Sequence, residues 1–162
     1  MKISHFSSVE SYTQLFASLP PRQPSFIFNN ATLTRCTDSS IDLLVFIISK
    51  CSHASIRQSI RRTWANTRLL HKFDAHQRVK LLFLVDNDST STERLVLEHA
   101  HHGDIVQVAN LPQQYEYVTQ REAAIYAFVH ERCSQTRLVF KTDDDIFVNT
   151  FLLLTVTPAL IS

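Results

Sequence analysis

The chain has 162 residues, 44% of them hydrophobic and 19% charged, with a formal net charge of +1. Those totals describe one globular domain with its own core, too short for two comfortable ones, and argue against disorder or a membrane bundle as the overall class. A near-zero balance without a basic block leaves no electrostatic footprint for nucleic acid.

Residues 1–38 are polar, rich in Ser and Thr, and broken by Pro20, Pro21 and Pro24, which predicts a leader or stem that packs only in part. The start, Met1 to Phe16, lacks the apolar segment of a signal peptide, and the longest apolar stretch, Ile41 to Ser49, is far short of a membrane span. Residues 39–162 carry the organised part. Asp42 to Ile48 is apolar without alternation, as in a strand covered on both faces of a parallel sheet. Ser55 and Gln58 have capping-box spacing, and Ile56, Ile60 and Trp64 form one helical stripe, which leaves Arg57, Arg61 and Arg62 elsewhere on the surface.

A second strand is predicted over Val79 to Val85, ending in Asp86, Asn87 and Asp88. Thr90 and Glu93 supply another capping box for a short helix through Leu95, Val96, His99 and Ala100, and Gly103 suits a left-handed residue just past it. Asp104 to Val108 reads as a third strand. Pro112 to Tyr117 is a loop, and Thr119 opens a longer helix with Ala123, Tyr126, Ala127 and His130 on one side. Leu138 to Phe140 reads as a short buried strand that runs into Asp143, Asp144 and Asp145. A last helix begins at Phe151 and is interrupted at Pro158. Strands alternating with helices imply right-handed crossovers and an α/β fold with a mainly parallel sheet, the nucleotide-binding half of a larger design.

Three adjacent carboxylates at a strand's carboxyl end repel one another unless a cation or a set of donors compensates them. A hard divalent ion bridging to phosphate is one solution, and a solvated acidic turn that caps the next helix is the other; from the triplet alone the two stand level. The single glycine excludes a glycine-rich phosphate cradle, so any nucleotide must be held through side chains and a metal. Cys36, Cys51 and Cys133 lack metal-ligand spacing and allow one disulfide plus a free thiol or three thiols. Asn30-Ala31-Thr32 and Asn87-Asp88-Ser89 match the N-glycosylation pattern. His99, His101 and His102 read as surface residues at a helix end, and His53 and His71 have no evident partner.

Arg57-Gln58-Ser59-Ile60-Arg61-Arg62-Thr63-Trp64 resembles the Arg-x-x-Ile-Arg-x-Thr-Trp signature of the β-1,3-galactosyltransferase family, which includes β-1,3-N-acetylglucosaminyltransferases and is related to the Fringe enzymes. Leu82-Phe83-Leu84, Glu98 with Gly103-Asp104-Ile105, Tyr115 with Thr119, Cys133, and Lys141 to Asn149 resemble later blocks of that family in the same order. The resemblance spans roughly residues 42–154.

It implies a GT-A fold, a UDP-sugar donor, a glycan acceptor on protein or lipid, Mn²⁺ (or Mg²⁺), and inverting transfer in the Golgi lumen by a protein anchored in the membrane. It also implies that Asp145 is a direct metal ligand, that Asp143 and Asp144 contact donor ribose or metal-bound water with Asp143 near the metal, and that Arg57 or Arg61 reaches uridine or diphosphate. For both arginines a salt bridge to a nearby acid, or a guanidinium packed on Trp64, is the competing role, and Trp64 itself reads as core.

Gln113, Tyr117 and Arg121 depart from the family's Asp, Asn and Lys, Phe128 replaces its Trp, and the expected Gly is missing at Val85-Asp86. The family's catalytic base and acceptor site lie C-terminal to the acid triplet, so the resemblance implies a truncated, divergent member whose expected activity is metal-dependent UDP binding without transfer. A non-catalytic binding or interaction module is the alternative, and an unrelated metal-dependent phosphotransferase gives no reason for the arginine block.

Overall fold

Four apolar runs become four parallel strands: β1 (Leu43–Ser49), β2 (Val79–Asn87), β3 (Ile105–Pro112) and β4 (Leu138–Asp143). The computed structural model describes residues 25–29, 36, 40–74, 76–87, 92–112 and 114–161. Between the strands run α1 (Ala54–Arg62), α2 (Thr67–Phe73), α3 (Thr92–His102), a 3₁₀ turn (Tyr115–Tyr117) and α4 (Val118–Arg132), and α5 (Thr150–Ile161) follows β4. Strand order is β3-β2-β1-β4, so the order reverses between β1 and β4. Leu43 pairs with Val79 on one side and Leu138 on the other, and Ile48 pairs with Leu84 and Asp143.

Side-chain alternation divides the core into two layers. Leu43, Val45, Ile47, Leu81 and Phe83 pack with Ile60, Trp64, Leu70, Leu95 and Leu154, which places α1, α2, α3 and α5 on one face. Leu44, Phe46, Leu82, Leu84 and Val106 pack with Ala124, Ile125 and Phe128 of α4 on the other. The chain thus leaves β1 over one face and reaches β4 over the opposite one. Phe28 joins this second layer, with its ring centroid 5.3 Å from that of Phe128, and a bond between Cys36 and Cys133 ties the same segment to the end of α4. Cys51 is free and buried, which resolves the cysteine count as one disulfide and one thiol.

Several local expectations change. The capping box at Ser55 is not made: α1 begins two residues earlier with His53 at its N-cap and no side-chain cap, because the His53 ring is turned to another partner. Helix α2 was not predicted; Asn66 caps it by accepting from Leu69 N at 3.2 Å. The buried stripe of α4 is Arg121, Ala124, Ile125 and Phe128, not the side holding Tyr126 and His130. Strand β4 is an edge strand, so Leu138, Val139 and Phe140 are half-buried rather than buried. His99 is half-buried, its Nδ1 accepting from Ile105 N at 3.3 Å, whereas His101 and His102 are exposed.

Helix α5 continues through Pro158. A proline there supplies no N–H to the carbonyl of Leu154 four residues back. Gln77 Nε2 donates to that carbonyl at 2.8 Å, so the acceptor is not orphaned and the helix does not stop. Gly103 adopts φ 68°, and its N–H closes α3 on His99 O at 2.6 Å, as expected of a glycine just past a helix. The capping box at Thr90, the glycosylation pattern at Asn30, residues 88 and 89 of the second such pattern, Gln113 and most of the 1–38 leader fall outside the described residues, while Asn87 itself ends β2 and is exposed. No helix among the described residues is long and apolar enough to cross a membrane.

Candidate functional site

In an open parallel sheet, ligands collect outside the carboxyl ends of the strands where strand order reverses. Here that position lies between β1 and β4, and the acid triplet stands on it. Pairing with β1 persists past the strand, since Asp144 N donates to Ile48 O at 3.0 Å. Ile146 N then reaches Asp143 O at 3.3 Å, folding Asp143 to Ile146 into a tight turn. Asn149 caps α5 by accepting from Leu152 N at 3.0 Å, so none of the three acids serves as that helix cap.

The turn divides the carboxylates. Asp143 and Asp145 are exposed, with Asp143 Oδ2 3.5 Å from Lys141 Nζ. The Asp144 side chain is 11% exposed and lies 2.8 Å from His53 Nδ1, which reaches it from the loop after β1. Two acids therefore face solvent while the middle one is pinned to the neighbouring strand's loop. Among the described residues no three His, Cys, Asp or Glu side chains converge as a ready-made metal cage. The donor set is nonetheless hard oxygen, suited to a cation that takes one or two protein carboxylates and completes its shell from phosphate and water.

Arg57 is placed differently from the sequence expectation. It is fully buried rather than on the surface, and all five of its N–H groups are engaged at 2.5–3.1 Å. Two go to the Glu98 carboxylate, one to Ser49 Oγ and two to the carbonyls of Lys50 and Cys51. The guanidinium thus fixes the loop that carries His53, and no donor is left for a nucleotide. Arg61 lies one helical turn on. It holds Asp104 through Nε at 2.7 Å and Nη2 at 2.8 Å, pairs with Glu98 at 2.8 Å and covers the Phe83 ring at 4.7 Å. Asp104 immediately precedes β3, so Arg61 points to the amino edge of the sheet, away from the triplet. Burial pushes the Glu98 carboxyl up, but Arg57 and Arg61 outweigh it and hold the group below the usual range. Burial likewise opposes the charge on Arg61, and Asp104 with Glu98 more than restores it.

A further pair was not foreseen. Asp86, buried at the carboxyl end of β2, accepts from Arg121 Nε at 2.6 Å, and Arg121 Nη2 donates to Gln114 O at 2.7 Å. Burial outweighs Arg121 and holds the Asp86 carboxyl above the usual range, and its Oδ1 has no hydrogen-bond partner among the described residues. The signal was present in the sequence as an acid closing an apolar run, the same pattern that marks the triplet.

A family model described as galactosyltransferase matches residues 55–159. Rat UDP-GalNAc:beta-1,3-N-acetylgalactosaminyltransferase 1 is 25% identical over 157 residues, 93% of this chain and 46% of its own length. Human beta-1,3-galactosyltransferase 5 is 28% identical over 146 residues, 85% of this chain and 46% of its own. The pygmy chimpanzee (Pan paniscus) beta-1,3-galactosyltransferase 5 is 30% identical over 118 residues, 72% of this chain and 38% of its own. The chain spans about half the length of the curated relatives it matches. With the signature helix α1, the parallel sheet and the acidic turn all inside the matched region, the chain belongs to the galactosyltransferase family.

Proposed function

We propose that the chain forms the donor side of a β-1,3-hexosyltransferase, binding a UDP-sugar at the β1/β4 edge for inverting transfer to a glycan acceptor on protein or lipid. The observation that carries this reading is the Asp143–Ile146 turn, which sets two exposed carboxylates where the strand order reverses. Asp145 and Asp143 would hold Mn²⁺ or Mg²⁺ there. Bound, such an ion neutralises the diphosphate and makes it a better leaving group.

The chain's own side chains supply the positioning. His53 keeps Asp144 turned toward β1, so the middle carboxylate meets the donor from a fixed direction. Asp86 and Arg121 brace the carboxyl end of β2 against the Gln114 backbone beside this edge. Arg57 and Arg61 act through the scaffold and not on the donor. The Cys36–Cys133 bond supports an oxidising compartment, in keeping with a lumenal, membrane-anchored Golgi location.

Calorimetry with UDP, with and without Mn²⁺, tests the reading on the wild type and on Asp145→Ala. Metal-dependent heat that disappears in the variant supports it, and identical heats in the two remove the metal assignment. Sugar transfer to an acceptor is scored separately, because donor binding without transfer would favour the binding-module alternative.

A further inference from the structure

A cavity of about 580 Å³ opens at the amino edge of the sheet, between the last turn of α1, the start of α2 and the first residues of β2. Arg61, Arg62, Arg68 and Lys80 line it, against a single carboxylate among the described residues, Asp104. That carboxylate is already closed on Arg61 by two hydrogen bonds, so it does not offset the others. Among the described residues neither Arg62 nor Arg68 pairs with any acid. With its amide oxygen turned toward Arg62, Gln58 accepts from Nε and Nη2 at 3.2 Å each, which steadies that guanidinium over the opening without neutralising it.

The chain as a whole carries a net charge of only +1, so four cationic side chains around one concavity, of which Arg62 and Arg68 meet no acid among the described residues, are a local concentration and not a general bias. Like charges that line one cavity repel, and a bound anion relieves them. Two groups that line the cavity register its low dielectric. Burial, aided by the charge of Arg61, holds the His102 imidazole below its usual range, and burial lowers the Lys80 ammonium. Leu81 and Phe83 supply an apolar wall beneath the cations.

We propose that this cavity binds a phosphate or sulfate ester carried on a body the size of a sugar or nucleoside. Its volume suits such a ligand, and planar guanidinium groups grip tetrahedral oxyanions through paired charge-assisted hydrogen bonds. The site needs no metal and stands at the edge opposite the acidic turn, so it is independent of the donor assignment. Two sources share this chemistry, a nucleotide and an ester-bearing glycan.

Gly103 lines the cavity and is the only glycine in the chain, so glycine-selective ¹⁵N labelling of the full chain places one amide signal at the site. The probes are glucose 6-sulfate, glucose 6-phosphate and UMP, each with EDTA present and against sodium chloride at matched ionic strength. A saturable displacement of that signal is expected. Roughly tenfold weaker binding is expected in Arg62→Gln/Arg68→Gln and a similar loss in Lys80→Met, with wild-type behaviour in Asp145→Asn. Tighter binding of UMP assigns a nucleotide, and tighter binding of glucose 6-sulfate assigns a glycan ester. Equal movement with sodium chloride, or wild-type titration in a double variant that retains the native spectrum, overturns the proposal.

Discussion

His53 Nδ1 lies 2.8 Å from Asp144 Oδ2, joining the loop after β1 to the acidic turn after β4 across 91 residues of sequence. The contact closes the gap between the two strands at which the strand order reverses. His53→Ala frees Asp144 while leaving the ladder bond from Asp144 N to Ile48 O in place. The expected result is UDP affinity in Mn²⁺ weakened by about three- to tenfold, with unfolding stability changed by under ~1 kcal/mol because the ring is partly exposed. Parallel calorimetry and urea denaturation read the two effects; a large stability loss with unchanged affinity would assign His53 to the scaffold instead.

Arg57→Ala leaves Glu98 without its bidentate partner and strips donors from Ser49 Oγ and from the Lys50 and Cys51 carbonyls. Breaking a buried ion pair from one side costs about 3–5 kcal/mol. Lysine cannot reproduce the five-donor fork, so Arg57→Lys is expected to recover little of the loss. The double change Arg57→Met/Glu98→Met should cost less than Arg57→Ala alone, because Glu98 is no longer left buried with Arg61 as its one remaining partner, while Arg61 keeps Asp104. Urea midpoints of the four proteins decide the matter.

Acid should expose the same network. The folded-state pKa of Glu98 lies below its ordinary value of 4.5, so through this window the unfolded chain binds more protons than the folded one. Its contribution is therefore present above the ordinary value and is lost as pH falls through the lowered one. Relative to the wild type, Glu98→Gln is expected to show a flatter fall in stability below about pH 4.5. Parallel curves for the two proteins would mean that the pair does not couple to protonation.

Gln77 and Pro158 form a compensating pair through the Leu154 carbonyl. Gln77→Ala orphans that acceptor and is expected to cost about 1–2 kcal/mol. In a Pro158→Ala background the restored N–H serves the carbonyl, and the same change should cost clearly less. Equal costs in the two backgrounds would show that Gln77 acts elsewhere.

The features legible in the sequence are those that neighbouring residues determine. Continuous apolar runs at Leu43, Val79, Ile105 and Leu138 became parallel strands, and acids closing such a run marked the sheet edge. The illegible features depend on residues far away. Spacing alone put Arg57 on the surface, whereas Glu98, 41 residues on, gives its charge a partner and lets it enter the core. Arg121 finds Asp86 across 35 residues, and His53 finds Asp144 across 91. Pro158 reads as a helix stop unless Gln77 is known to stand beside Leu154. Helix α2 escaped notice because seven residues are too few to establish a helical period.

Paramagnetic broadening by Mn²⁺ tests the central claim most directly. With UDP present, substoichiometric Mn²⁺ should erase the amide signals of Asp143 to Ile146 and of the facing His53 loop, leave the Gly103 signal at the far edge, and lose this pattern in Asp145→Ala. Broadening spread evenly over the surface, or centred away from the acidic turn, would contradict a donor site between β1 and β4.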